Sequence, residues 1–167
     1  INQSIYAAGD KLPTFTIGSL KFGIIICNDT NFHEPARAIA SQGAAALFIP
    51  TNNGLPPHKA DVVAMARSKQ TARAVENGIT VIAADVAGHQ GSFVSYGSTN
   101  IIDPEGTVIA SSKPLVEDLL IVEIEPKAHT YMRGWDASKN PAIVRAFVQQ
   151  CYPEIQQRMG PPGNLTL

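Results

Sequence analysis

Cys27 is the residue best placed in this chain for covalent chemistry. It follows Lys21-Phe22-Gly23-Ile24-Ile25-Ile26 and precedes Asn28-Asp29-Thr30-Asn31-Phe32. Three consecutive isoleucines do not alternate with polar residues, which predicts a strand from Lys21 to Cys27 buried on both faces. The residues after it favour a turn. A thiol at that junction stands at the carboxyl end of a strand, where ligands of open α/β sheets collect. There it can attack an electrophilic carbon, with the backbone amide of Asn28 turned to bind the developing oxyanion. A free thiol has a pKa of about 8.5 and is only slightly ionised at neutral pH, so such a nucleophile needs a base or a cation nearby. Position alone favours a plainer reading, because free cysteines more often fill a core as small hydrophobes.

Asn31, Thr51, Asn52 and Asn53 lie at or after strand ends and could line a substrate pocket. The same residue types also serve turns and caps, and both readings stay open. His33, His58, His89 and His129 have no metal-ligand spacing, so no metal is expected. A thiol–imidazole pair of Cys27 with His33 or His89, as in glutaminases and proteases, is a second enzymatic possibility. Arg37 reads as a member of a structural ion pair with a carboxylate, and Glu76 as an ordinary helix-end charge or a buried partner of an arginine. Cys151 reads as a core residue of a late helix. Tyr131 and Trp135 could anchor an interface or pack on their own chain.

The elements that must position these groups follow from periodicity and punctuation. Pro13 to Ile17 is a β-prone run, and Ile17-Gly18-Ser19-Leu20 is a hairpin connection. Glu34 to Gln42 reads as a helix, with Pro35 in its first turn and Gly43 as its cap. Ala44 to Ile49 is an apolar strand that Pro50 should end, and Thr51 to Pro57 is a loop. From Lys59 to Asn77, Val62, Met65, Ala66, Ala72 and Val75 fall at helical spacing, and Asn77-Gly78 stops that helix. Ile79 to Ala84 is a third buried strand. Asp85 to Ser98, rich in Gly and Ser, reads as a loop. Asp103-Pro104-Glu105-Gly106 is a tight turn between strands at Thr99–Ile102 and Thr107–Ala110. Leu119 to Ile124 reads as a further strand and Pro141 to Gln157 as a helix, with 158–167 an extended tail. Strands alternate with helices and a hairpin follows. That order predicts a largely parallel inner sheet with antiparallel additions, both helices covering one side.

Composition sets outer bounds. The 167 residues suit one domain, and 44% hydrophobic with 16% charged residues suits a well-buried core. A net charge of -1 without basic runs argues against nucleic acid or an anionic membrane as partner. Two cysteines are too few for a disulfide framework. No apolar run is long enough to span a bilayer, and no signal peptide opens the chain. A reducing, cytoplasmic setting is the expectation. The chain begins with Ile1 and reads as a piece of something longer.

Several segments carry a family likeness in order along the chain. They are Phe22-Gly-Ile-Ile-Ile-Cys-Asn-Asp29, Phe32 with Glu34-Pro35-Ala36-Arg37, Gly43-Ala44 and Ile49-Pro50-Thr51-Asn52. Arg73-Ala74-Val75-Glu76-Asn77, Gly97-Ser98 and Ile102-Asp103-Pro104-Glu105-Gly106 follow. Together, over roughly Ala8 to Ile124, they resemble the carbon–nitrogen hydrolases of the nitrilase superfamily. The resemblance implies a four-layer αββα sandwich, of which this chain is the C-terminal half, a mixed sheet covered by helices. It implies hydrolysis of a small linear amide, N-carbamoyl compound or nitrile by a Glu–Lys–Cys triad, with Cys27 as nucleophile, the Asn28 amide as oxyanion donor and no cofactor. The family's Glu and Lys lie upstream of the Cys. Upstream of Cys27 there is no Glu, and neither Lys11 nor Lys21 fits the lysine motif. The expectation is therefore a chain incompetent alone, whose partner is the missing N-terminal half or a second copy. Failing that, it is a non-catalytic half acting only in association.

Overall fold

The computed structural model describes residues 9–59, 61–125, 146, 149 and 150. The chain divides into two compact units, Ile1–Met132 and Arg133–Leu167, and the architecture that follows is that of the first. Residues 146, 149 and 150 are helical. The rest of the helix expected over 141–157, the tail 158–167, His129, Tyr131, Trp135 and Cys151 lie outside the described residues.

β1 (Thr14–Ile17) and β2 (Leu20–Ile24) form an antiparallel hairpin that turns through Gly18 at φ 58°. α1 (Glu34–Ser41) opens with Pro35 in its first turn and ends before Gly43, whose φ of 85° suits a residue without a Cβ. β3 (Ala46–Thr51) runs parallel to β2, and β4 (Gly54–Leu55) follows. α2 (Asp61–Asn77) leads into β5 (Thr80–Asp85), parallel to β3. β6 (Ala87–Gln90), β7 (Phe93–Tyr96), β8 (Asn100–Ile102) and β9 (Val108–Ser111) complete the strands. The main sheet has the order β1-β2-β3-β5-β8-β9, parallel at its centre and antiparallel at both edges. The turn at Asp103–Gly106 forms as the sequence predicts, with the Asp103 carboxylate accepting from the amides of Glu105 and Thr107.

One face of this sheet carries the core. Ile25, Leu47, Ile49, Val81, Ala83 and Ile102 pack there under Ala36 and Ile39 of α1 and Ala74 of α2. Both helices thus cover the same side, as successive crossovers between parallel strands require. Gly23 is what lets α1 approach: a Cβ on it would lie 2.3 Å from Ile39 Cγ2. Gly23→Ala should therefore cost about 1–3 kcal/mol in urea unfolding, with Ile39→Val in the same chain recovering part of the loss. Unchanged stability in the single variant would show that helix and strand do not meet this closely.

The structure departs from the sequence reading in several places. Only Ile25 of the isoleucine run is buried, while Ile24 and Ile26 are 42% and 62% exposed, because nothing described covers the sheet's second face there. Pro50 does not end β3. The Phe48 carbonyl accepts from the Ile25 amide, so the Pro50 nitrogen, two residues on, faces the side from which β2 has already departed. No donor is missed there. The stretch from Asp85 to Ser98 is not a loop, since β6 and β7 pair within it and β4 adds a third strand. Glycines at 88, 91 and 97 hid these strands by supplying turns and positive φ rather than irregularity. α2 buries a different face from the one its apolar residues mark. Gln70, Arg73, Ala74 and Asn77 are buried, whereas Met65 and Val75 are exposed. Hydropathy cannot see that Gln70 is matched by Asn100, whose Nδ2 donates to Oε1 at 3.0 Å. Finally, Leu119 to Ile124 is not a strand: among the described residues no ladder partner meets it, and Leu119 and Ile121 are more than three-quarters exposed. No helix among the described residues is long and apolar enough to cross a membrane.

Candidate active site

Cys27 does not close β2, as its sequence context suggests. The strand ends at Ile24, and Cys27 is the first residue of a 3₁₀ helix, Cys27–Asn31. Asp29 makes this turn. Its carboxylate accepts from the Ile26 amide at 3.0 Å, and its own amide donates to the Ile26 carbonyl at 2.9 Å. Between those bonds Cys27 is held at φ 45°, the left-handed region, which disfavours any residue with a Cβ by about 1–2 kcal/mol. Such conformations persist where the surroundings over-determine them, and they cluster at functional sites. Cys27 is a half-buried free thiol.

Arg73 fixes the turn from the other side. It is 8% exposed, donating Nη2 to the Thr30 carbonyl at 3.3 Å and Nη1 to Glu76 at 2.9 Å. Glu76 is thus the partner of an arginine, though a partly exposed one, and the Arg73–Thr30 bond ties α2 to the helical turn that carries Cys27.

A cleft of about 150 Å³ opens at the carboxyl ends of β2 and β3. Cys27, Asn28, Thr30 and Asn31 line one side, Thr51 and Asn53 the floor, and Val62, Ala66, Lys69 and Gln70 of α2 the other wall. Asn31 donates to the Asn28 side-chain oxygen at 2.8 Å and accepts from the Lys69 ammonium. The sequence-derived candidates Cys27, Asn28, Asn31, Thr51 and Asn53 are thus brought together. Asn52 is left out, exposed beyond the lining, because Thr51 and Asn53 turn inward and their intervening neighbour turns away. His33 is exposed beside Glu34, and no imidazole lines the cleft among the described residues. Nor do those residues include a His, Cys, Asp and Glu cluster that could hold a metal.

Two residues escaped the sequence reading. Lys69 is not among the sequence-derived candidates, yet it shares a stripe with Val62 and Ala66 at i, i+4 and i+7, which is a legible signal. Asp85 ends β5 directly beside Thr51. Its carboxylate accepts from the Asn53 amide at 3.0 Å, the Asn53 Nδ2 at 3.2 Å and the Ser98 amide at 3.0 Å. Asp85 therefore sets the cleft floor. Asp85→Ala should leave these donors without their acceptor and lower stability by about 2 kcal/mol in a denaturant titration. An unchanged midpoint would show that water replaces the carboxylate fully.

A family model described as carbon–nitrogen hydrolase matches residues 1–133. This chain belongs to the carbon–nitrogen hydrolase family. A protein of Pseudomonas protegens described as a hydrolase in the pqqF 5' region is 35% identical to it over 112 residues, 66% of this chain and 37% of that protein. Among solved structures, a cysteine mutant of an amidase from Nesterenkonia AN1, of the nitrilase superfamily, matches with a TM-score of 0.65. Identity is 27%, covering 83% of this chain and 50% of that one. Another structure of that amidase, with a TM-score of 0.61 and 27% identity, covers 82% of this chain and 49% of that one. It shows the acetamide moiety of fluoroacetamide covalently added at the active-site cysteine. This carbon–nitrogen hydrolase chain thus spans about half or less of the proteins it is similar to, and its mixed sheet with helices on one face matches the nitrilase fold over that span.

Proposed function

We propose that the protein hydrolyses non-peptide C–N bonds of small linear amides, N-carbamoyl compounds or nitriles, with Cys27 as the nucleophile. The observation that carries this reading is the placement of Cys27. It sits in a left-handed turn at the carboxyl end of the sheet and faces a small polar cleft, in a chain of the carbon–nitrogen hydrolase family. The covalent adduct on the cysteine of the Nesterenkonia amidase supports it.

In the amide case a base takes the Cys27 proton and the sulfur attacks the carbonyl carbon. The carbonyl oxygen gathers negative charge, which the Asn28 amide meets as one oxyanion donor. The C–N bond then breaks, ammonia leaves with the proton returned by the base, and a thioester remains. Water, deprotonated by the same base, attacks the thioester and releases the carboxylic acid with the thiol restored. A nitrile enters through a thioimidate and needs one further water. Asn31, Thr51 and Asn53 supply polar contacts to the substrate. No step calls for a metal or organic cofactor.

The base and the cationic oxyanion donor come from elsewhere. Within these 167 residues no Glu precedes Cys27, and no carboxylate lines the cleft among the described residues. The sheet face opposite the helices offers the place where the donor segment docks. Phe15, Phe22 and Phe48 form an aromatic row across it, with centroids 5.6 and 5.1 Å apart, and Phe15 is 45% exposed. An N-terminal half, or failing that a second copy, would bury this apolar row and complete the site.

The test is to incubate the intact gene product with simple amides, follow ammonia release, and map the acid-quenched protein by peptide mass. An acyl group on the peptide containing Cys27 is expected. Ammonia release that persists in Cys27→Ala would overturn the assignment.

A further inference from the structure

We infer that Arg73 is a positioning residue for the hydrolysis: through the Thr30 carbonyl it holds the Cys27–Asn31 turn so that the Cys27 thiol and the Asn28 amide face the cleft together. This rests on the hydrolase reading above. Arg73 does not itself line the cleft. It sits on a firmly held part of α2. Its neighbour Ala74 is fully buried in the core, and Asn77 Nδ2 donates to the Arg73 carbonyl at 2.9 Å. The guanidinium is closed in by the described residues themselves, since Arg73 is only 8% exposed.

Its donors are unevenly used. Nη1 meets Glu76 and Nη2 the Thr30 carbonyl, while Nε has no partner among the described residues. A cation buried on those terms is a poor device for joining two elements, because apolar side chains of similar volume often do so as well or better. What an apolar side chain cannot do is grip a carbonyl. Thr30 is the fourth residue of the turn, towards its C-terminal end, where a cationic donor is favourable. Asp29 holds the start of the turn to its own sequence neighbours. Lys69 joins α2 to the turn only through the Asn31 side chain, whereas Arg73 holds the backbone. Cys27, at φ 45°, keeps its strained conformation only while both ends are fixed. Val62, Ala66 and Gln70 of α2 form the opposite wall of the cleft, so the Arg73 bond also sets the nucleophile against that wall. A shift of about 1 Å in such groups is enough to cost about 10²-fold in rate.

The experiment uses the intact gene product with acetamide, propionamide and butyramide as probes. Arg73→Met, Arg73→Lys and Glu76→Gln are compared with wild type by steady-state kinetics and thermal melting. Arg73→Met should lower kcat by roughly 10²-fold and change KM by less than about threefold, because the contact acts on the placement of the reacting groups and not on the grip on the substrate. Arg73→Lys keeps a donor but not the fork, and should lose roughly tenfold in kcat at unchanged KM. Glu76→Gln removes the ion pair and leaves the Thr30 bond. It should stay within about threefold of wild type, since a partly exposed pair contributes little. A merely structural role would instead make kcat follow the melting temperature across all three variants. If Arg73→Met does not fold, Arg73→Lys decides by the same split between kcat and KM. Wild-type kcat in the folded Arg73 variants, or a loss confined to KM, would overturn the positioning role and leave the hydrolase reading standing. A wild type that releases no ammonia from any of the three amides would overturn the hydrolase reading, and the positioning role with it.

Discussion

Cys27→Ala in the intact protein should reduce kcat for amide hydrolysis by roughly 10⁴-fold or more, the scale on which loss of a catalytic nucleophile acts. The same position should give an opposite effect on stability with a different substituent. Cys27 is held at φ 45°, where a Cβ is disfavoured. Cys27→Gly removes the Cβ along with the thiol, whereas Cys27→Ala keeps it. The glycine variant should thus be more stable than the alanine variant by about 1 kcal/mol, the strain relieved less the greater freedom of glycine in the unfolded chain. Both should be inactive. The pair separates the thiol's chemistry from the backbone it is mounted on. Equal urea midpoints for the two variants would mean that the turn carries no strain. Substantial activity in either would mean that another group attacks the substrate.

The second large effect concerns completeness of the site. The 167-residue chain alone should hydrolyse simple amides at least roughly 10⁴-fold more slowly than the same chain joined by the segment that supplies base and cation. A positioned base contributes about 10²–10⁴ and one oxyanion donor about 10²–10³, so the combined loss can approach 10⁷. Complementation is the direct measurement, with the purified chain assayed before and after adding the N-terminal half as a separate polypeptide. Activity should rise and the aromatic row of Phe15, Phe22 and Phe48, in which Phe15 is exposed, should become protected. Full activity from the isolated chain would show that the base lies within it and that the triad has been misassigned. Binding of the half without any gain in rate would favour a role in association only.

The elements were readable where local chemistry speaks in one voice. Pro35 and Gly43 bracket α1, Gly78 stops α2, and the Asp103 carboxylate caps its own turn. These signals act over a few residues and need no tertiary partner. Reading failed where the outcome depends on what lies across the fold. The segment of β6 and β7 reads as loop because its glycines mark turns in any setting, and only the pairing of β6 with β7 and of β7 with β4 makes it a sheet. Leu119 to Ile124 has the composition of a strand but meets no ladder partner among the described residues, and without one an extended segment gains no interstrand hydrogen bonds.

The sequence by itself determined the family likeness, singled out Cys27 as the candidate nucleophile and named most of the cleft's polar residues, because Cys27, Asn31, Thr51 and Asn53 all belong to strand ends and turns. Tertiary structure decided which of them meet. It turned Asn52 away and brought in Asp85 as the anchor of Asn53. It also set Lys69 beside Asn31, 38 residues apart in the chain. It further decided that α2 buries Gln70, Arg73 and Asn77 rather than its larger apolar side chains. The physical reason is the same in each case. Hydropathy and turn propensity are properties of one residue and its neighbours, whereas a buried polar group is tolerable only if a partner exists across the fold. Asn100 for Gln70 and the Thr30 carbonyl for Arg73 are partners that only the folded chain provides.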